Sequence, residues 1–479
     1  MACLNDIPEL LVLHRLIQRK HISLFLVGGA LRDLFLGRRT RDFDFAVSQD
    51  ALRLAQSFAK AVKGTFVLLD KDLGCARVVK KRLDGLWTYD FANFRASTFK
   101  EDLKKRDFTI NTLALDFRSL HASDDFRHVL LPNEAAIKDI RGKMIRMVAK
   151  QAFIDDPLRL LRAYSLMAQH GFEIEAKTRK EIKVRAKLIT KVSPERVREE
   201  LFKILESPRA ALTLKAMHKD GLLFVVIPQL CVMEEIHQGG YHHLGVWEHS
   251  LETIHQLEIL LNDFSDDTRM KAYVDEVISG GHSRRALLKF ACLLHDIGKP
   301  DTKKKEEGRT SFHGHEHVGA KIARIIARQL MLSTKERHAL EDMIGLHLRP
   351  GYLSNFKKPS ERMTFRFFRD AKAEAVSILL LSTADQRSTR GPLTTDYDIK
   401  HHQDIAFPLI DRYFQKKDEA PFVRFIDGYD LIRKLKLEPG PEFSRILKEV
   451  EEAQHLGKVT TKAEALALAL KVSGLKEKS

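Results

Sequence analysis

The chain has 479 residues, too many for one ordinary core and enough for two to four domains, and its 44% apolar and 30% charged residues are those of a soluble globular protein. Lysine and arginine outnumber aspartate and glutamate by 81 to 65, and the resulting charge of +16 favours a polyanionic partner. The cysteines (Cys3, Cys75, Cys231, Cys292) are far apart with no CxxC pair, which suits a reducing cytoplasm without a disulfide framework; the longest apolar run, around residues 378–381, is too short to span a bilayer.

The opening segment MACLNDIPELLVLHRLIQRK carries charges through its apolar stretch, as an amphipathic helix does and a signal peptide does not. Up to residue 150 short strands and helices alternate. Residues 23–27 are β-branched and aromatic, Gly28-Gly29 breaks that strand, and a helix is predicted over 30–36. Residues 42–47 alternate charged and apolar side chains at period two, the pattern of a half-buried strand, and further strands are predicted near 65–69, 76–79 and 87–94. From residue 153 onward the apolar spacing is helical almost throughout, and the SPE that opens residues 193–205 predicts a capped helix. Breaks near Gln238-Gly239-Gly240 and at residues 389–392 mark domain boundaries before a final helical region.

The strongest chemistry lies in LVGGALRDLFLGRRTRDFDFAV, residues 26–47. Two glycines between strand and helix let backbone amides approach a phosphate, and the helix N-terminus adds positive potential. Asp42 and Asp44 are two apart on a strand, so both carboxylates point to one face, as bridging magnesium ligands must. Asp90, in YDFANFR, offers a third carboxylate from another strand. An isolated DxD is more often a solvated strand face; the preceding GG…RD…G pattern points to a metal site instead.

GGALRDLFLGRRTRDFDF resembles the signature of class II CCA-adding enzymes and bacterial poly(A) polymerases, within the DNA polymerase β nucleotidyltransferase superfamily. Further blocks follow in the family order. KRDFTINTLALD (105–116) is similar to the RRD motif that contacts ribose and phosphates, DDPLRLLRA (155–163) to the EDxxR motif that reads the base, and SPERVREELFKIL (193–205) to the helix that braces the pocket. The resemblance implies a nucleotide site of Gly28, Gly29, Arg32, Asp33, Lys105, Arg106, Asp107, Asn111, Asp156, Arg159 and Arg162, with Asp42 and Asp44 as catalytic Mg²⁺ ligands. Asp156 and Arg159, three apart, share a helix face; a carboxylate acceptor beside a guanidinium fork matches the edge of cytosine, although such spacing also suits a plain ion pair.

The chain departs from the family pattern at several points. Lys105 stands where arginine is usual, Asp155 replaces glutamate, and Ser165 stands where the family helix often carries another arginine. Only residues 96–100 separate Phe94-Arg95 from Glu101-Asp102, where CCA-adding relatives have a much longer flexible loop. That shortening resembles the CC-adding specialists; a harmless deletion is the alternative.

A second constellation occupies residues 240–390: YHHLGVWEHS, LLHDIGKP, SFHGHEH, IGLHLRP and TADQRS. His295-Asp296 in an apolar helix is costly to bury unless it binds something. His249, His295, Asp296 and Asp385 match the H…HD…D pattern of HD-domain phosphohydrolases, and His315 and His347 resemble the extra ligands of two-metal members. Imidazole with carboxylate suits Mn²⁺, Ni²⁺, iron or Mg²⁺. His237, His242, His243, His313 and His317 read as surface or supporting residues. In the tail, Gly440-Pro441 opens a helix whose free amides either meet a phosphate or pack internally.

The expected fold class is α+β and multidomain: a polymerase β-like head with a mixed sheet (1–150), an all-α neck (151–237), an all-α HD domain (238–392) and a helical tail (393–479). The resemblance implies a tRNA nucleotidyltransferase that uses CTP and ATP, with an HD phosphohydrolase behind it. A bacterial poly(A) polymerase and an HD phosphohydrolase with an RNA-binding head are the rival readings.

Overall fold

The structure is a computed structural model describing residues 4, 7–18, 22–122, 126–236, 244–306, 309–417 and 422–474. The chain forms two compact units, Met1–Arg209 with Ala216–Val226, and Ala210–Lys215 with Ile227–Ser479.

The first unit begins with helix α1 (Pro8–Gln18), strand β1 (Leu24–Val27), α2 (Gly29–Phe35), β2 (Asp42–Val47) and α3 (Ala51–Val62). Strands β3 (Thr65–Asp70), β4 (Cys75–Arg82) and β5 (Gly85–Asn93), helix α4 (Phe99–Lys104) and β6 (Ala114–Asp116) complete a six-stranded sheet of order β3-β4-β5-β2-β1-β6. Only β2 and β5 pair in parallel, which makes the sheet mixed. Period-two alternation divides its faces: Phe43, Phe45, Tyr89 and Phe91 are buried with Phe58 of α3, and their rings pack with Phe45–Phe91 centroids 5.1 Å apart and Phe58–Tyr89 5.2 Å apart. Each such side chain contributes about 1.5–3 kcal/mol by leaving water. The opposite face is left to Asp42, Asp44 and Asp90.

After α5 (Glu134–Arg141) and β7 (Met144–Ile145) come the helices α6 (Ala152–Asp155) and α7 (Leu158–His170), strand β8 (Glu173–Ile174), and helices α8 (Ala176–Arg185) and α9 (Pro194–Glu206). Helix α9 begins at Pro194, one residue after the predicted start, and the Ser193 side chain at its N-cap makes no cap bond; Pro194 in the first turn presets φ and needs no amide partner. A second correction concerns Asp156. It is not on a helix with Arg159: it sits in extended backbone (φ −144°, ψ 96°) between α6 and α7, because Pro157 disfavours a helical residue before it.

The second unit is mainly helical, with two short hairpins (Val277–Ser279 with His282–Ser283, and Lys304–Glu306 with Arg309–Ser311). The predicted break at residues 238–240 lies outside the described residues, as do His237, His242 and His243. The break at 389–392 falls between helices Ala375–Ser388 and Asp396–Lys417. Three final helices, Gly428–Leu435, Pro441–His455 and Lys462–Ser473, enclose their own core around Leu431, Ile446, Val450 and Ala465. Among the described residues no helix is long and apolar enough to cross a membrane.

Candidate active site and candidate metal centre

In the first unit a cavity of about 190 Å³ opens beside the polar face of the sheet. Its walls include Gly28, Gly29, Asp44, Arg106, Asp107, Asn111, Asp156, Arg159 and Arg162 from the expected set, joined by Asp90, Arg95 and Asp102. Arg32, Asp33, Asp42 and Lys105 do not line it.

The carboxylates are placed by strand register. Asp44 lies opposite Asp90 and Asp42 opposite Thr88 across the parallel β2–β5 pair, and the Thr88 hydroxyl donates to Asp42 Oδ1. Burial, then Asp42 and Asp90, lift the Asp44 carboxyl to about 6. Arg77 partly offsets this charge by a two-bond fork to Asp90, Nε–Oδ1 and Nη2–Oδ2 each 2.7 Å. Gly28 meets the same carboxylate: it has φ +83°, and a Cβ there would fall 2.8 Å from Asp44 Oδ2. Only glycine suits both the conformation and the approach.

Around the cavity the cations are held in a relay. Arg32 Nη1 donates to Asn111 Oδ1 (2.6 Å), Asn111 Nδ2 donates to Asp107 Oδ1 (3.1 Å), and Arg162 Nε pairs with Asp107 Oδ2 (3.1 Å). Arg32 Nε also donates to Asp33 Oδ1 (2.9 Å). Arg32 and Asp33 therefore support the wall from behind, through Asn111, which is part of it. Arg159 Nη1 donates to the carbonyls of Lys105 (2.9 Å) and Ala152 (3.3 Å). Asp156 is clasped by Arg196 of α9, whose Nη2 lies 3.1 and 2.9 Å from its two oxygens. Ser165 is buried and donates to Glu200 of α9, so it faces the helix packing.

The second unit gathers the six histidine and aspartate candidates. His249, His295 and Asp385 form one group, and Asp296, His315 and His347 another, each with its ligand atoms within 4.8 Å of one another. Four helical segments and the turn after Leu294 supply them. That turn is tightly seated, since a Cβ on Gly298 would meet the His315 carbonyl oxygen at 2.2 Å.

Imidazole orientation is fixed from outside. Nδ1 of His295, His315 and His347 hydrogen-bonds to the carbonyls of Cys292 (2.9 Å), Phe312 (2.8 Å) and Ile344 (2.7 Å), while His249 Nδ1 faces Ser388 Oγ at 3.1 Å. The Nε2 atoms converge: His249 lies 2.8 Å from Asp385 Oδ1, His315 3.2 Å from Asp296 Oδ1, and His315 3.4 Å from the Nε2 of His347. His295 Nε2 is buried without a hydrogen bond. Rings pinned at Nδ1 with Nε2 turned inward are the arrangement of metal-binding histidines.

Burial opposes the His295 imidazolium, but Asp296 and Asp385 prevail and lift it to about 10, whereas burial and the neighbouring His295 and His315 hold His347 to about 3. Lys299, 2.6 Å from Asp296 Oδ2, also lines the adjoining cavity with Thr389 and Thr394. His313 and His317 are exposed, outside both groups.

Sequence reasoning missed Arg95, Arg196, Arg77 and Lys299. The Lys299 signal was its spacing of three from Asp296; Arg196 contacts a residue 40 positions away and left no local trace.

Three family models match the chain: "Poly A polymerase head domain" over residues 24–146, "Probable RNA and SrmB-binding site of polymerase A" over 171–233, and "HD domain" over 246–386. The CC-adding tRNA nucleotidyltransferase of Thermus thermophilus is 31% identical over 462 residues, covering 95% of this chain and 94% of that one. The A-adding tRNA nucleotidyltransferase of Deinococcus radiodurans is 31% identical over 450 residues, covering 92% and 94%. Among solved structures, a CCA-adding enzyme in apo form I aligns with TM-score 0.61 at 20% identity, covering 97% of this chain and 93% of that one. The Thermotoga maritima CCA-adding enzyme complexed with tRNA aligns with TM-score 0.57 at 20% identity, covering 97% and 96%. These structures establish a shared fold. With its likeness to the curated relatives running nearly end to end, the chain belongs to the family of tRNA nucleotidyltransferases that join a poly(A) polymerase-type head to an HD domain, and it is a transferase of tRNA processing.

Proposed function

We propose that the chain adds CC to tRNA 3′ ends from CTP, adding the terminal A from ATP poorly or not at all. The head (1–150) and neck (151–237) carry this reaction in the cytoplasm, and the HD domain (238–392) carries a separate phosphohydrolase, ahead of the tail (393–479). The observation that supports the reading best is that Asp44 of β2, Asp90 of β5 and the Asp156–Arg159 pair border one cavity.

The tRNA 3′-hydroxyl attacks the α-phosphate of the nucleotide in line, and pyrophosphate leaves. Asp42 and Asp44 would hold Mg²⁺; their shared strand face fits a pair of hard-cation ligands. Held there, the metal would supply Lewis acidity to the phosphoryl transfer. Arg106 and Arg162 bring positive charge to the phosphates. Asp156 accepts from the cytosine amino group and Arg159 donates to its acceptors.

Selectivity for C draws support from the short connection after β5. The Arg95 amide donates to Asp102 Oδ1 (2.9 Å), Lys105 Nζ donates to the Arg95 carbonyl (2.6 Å), and the Lys105 carbonyl accepts from Arg159. With connection and base reader tied together, one pose is favoured, and a larger purine demands that the ties shift. The A-adding relative keeps the opposite outcome in view. Labelled CTP or ATP offered to tRNAs ending before CC, after C and after CC separates CC, A, CCA and poly(A) addition.

In the second unit His249, His295, Asp296 and Asp385, with His315 and His347, would hold Mn²⁺, Ni²⁺ or Mg²⁺, and the inward Nε2 atoms fit such ions. A divalent ion held by these residues would supply Lewis acidity and make a water more acidic near neutral pH. Lys299 brings a cation to the substrate's phosphate ester. Assay of phosphomonoesters and 2′,3′-cyclic phosphates with each metal tests this second activity.

A further inference from the structure

We propose that Arg95 binds the triphosphate of the incoming nucleotide, taking the cationic role that the family pattern gives to position 105. Lys105 is turned away from the cavity: its ammonium donates to the Arg95 carbonyl, and it forms no part of the cavity wall. Arg95 does form part of that wall.

Both backbone groups of Arg95 are anchored. Its amide donates to Asp102 Oδ1 (2.9 Å) and its carbonyl accepts from Lys105 Nζ (2.6 Å), so helix α4 and the residue after it grip the connection from one side. Asp102 is 2% exposed, and its other oxygen lies 3.5 Å from Arg106 Nη2. One buried carboxylate thus sets the backbone of Arg95 and the guanidinium of Arg106 together. Arg106 in turn lies beside Asp44: a Cβ on Gly28 would fall 2.8 Å from Asp44 Oδ2 and 3.6 Å from Arg106 Nη1. The paired arginines therefore belong to the carboxylate end of the cavity, where phosphates are transferred.

The other cavity arginines already have protein partners: Arg106 has Asp102, Arg159 has two carbonyls, and Arg162 has Asp107. Among the described residues no carboxylate pairs with the Arg95 guanidinium. Its planar fork of donors suits bidentate binding of phosphate oxygens, which a lysine ammonium does not match. Lys105 and Asp102 are its positioning residues.

The proposal rests on reading this cavity as the nucleotide pocket. The test is competition binding of CTP and CMP to the full chain with Mg²⁺ and without tRNA, on wild type, Arg95→Ala, Arg95→Lys, Lys105→Met and Asp156→Ala. Arg95→Ala is expected to weaken CTP about tenfold and CMP less than about twofold, the size of one charge-assisted contact. Arg95→Lys recovers part of the loss, and Lys105→Met weakens CTP about threefold with the same CTP-over-CMP bias, because only the anchor is gone. Arg95→Met replaces Arg95→Ala should the alanine variant not fold. CTP binding equal to wild type, or equal losses for CTP and CMP, overturns the role of Arg95. If Asp156→Ala also binds CTP like wild type, the pocket reading itself fails; if it alone is impaired, only the Arg95 proposal falls.

Discussion

In the head, negative charge faces an open cavity, whereas in the HD domain it is enclosed among imidazoles. Asp42 is exposed, and Asp44 and Asp90 look from neighbouring strands into a space ringed by arginines. Asp296 is buried with His249, His295 and His347, and each ring is pinned from behind at Nδ1. The head carboxylates are spaced by a strand's pleat alone, so that centre keeps its geometry without an ion. The clustered HD residues come from segments far apart in sequence, so an ion held there would tie helices together. On the proposed reading, the first centre suits substrates that bring phosphates and leave, and the second suits a retained metal.

The sharpest way to break this contrast is to silence each centre separately. Asp44→Asn, which keeps the side-chain volume, is expected to lower nucleotide addition by ~10³-fold or more, since several kcal/mol of charge stabilisation are lost. Binding of tRNA and the hydrolytic activity should stay within about twofold, measured by filter binding and phosphate release. Asp296→Ala should do the reverse, abolishing metal-dependent hydrolysis while addition persists. Loss of both activities in either variant would mean that the centres are not independent.

Metal-linked stability sharpens the comparison further. Saturating Mn²⁺ should raise Tm in wild type and Asp44→Asn but not in Asp296→Ala, because ligand binding stabilises the native state by about 2.7 kcal/mol at a hundredfold excess over Kd. Calorimetry that shows the same Mn²⁺ shift in all three proteins contradicts the assignment of the retained ion to the HD domain.

A smaller effect is expected at the base reader. Arg196→Ala removes the clasp on Asp156 and should raise the KM for CTP about fivefold, while kcat changes less. Steady-state kinetics with CTP and UTP should also show weaker discrimination between the two pyrimidines. Unchanged KM and discrimination would leave the clasp a surface ion pair.

The smallest effect is on stability. His170 is held to about 3 by burial and then by Arg32 and Arg38, and its Nδ1 accepts from Arg38 Nη1 at 2.5 Å, as only the neutral ring can. The unfolded chain binds this proton near 6.5 and the folded chain does not, so stability decreases as pH falls from 6.5 towards 3. His170→Gln should flatten that part of a urea-midpoint profile; an unaltered slope removes His170 as its cause.

Much of this was legible in the sequence where local periodicity carries the information. The alternation of DFDFAV gave β2 its bounds, and the same alternation puts Asp42 and Asp44 on one face. The clustering of the HD residues was legible because the costly burial of His295-Asp296 in an apolar run demands a reason. Asp156 was misplaced because a spacing of three suggested a helix, while the steric demand of Pro157 prevailed. Arg95 and Arg196 were illegible for another reason. Their partners follow from tertiary packing, and an exposed arginine in a connection or first turn has no periodic signature. Arg77 was within reach: hairpin register sets it opposite Asp90.

On the proposed reading, the short, anchored connection leaves the base reader in a cytidine-sized pose. A tRNA ending in CC, offered saturating ATP alone, tests it most directly, with a tRNA lacking CC and offered CTP as the reference. A pose costing an extra ~3 kcal/mol predicts A addition about two orders of magnitude slower than C addition. A single A gained as fast as C contradicts the account.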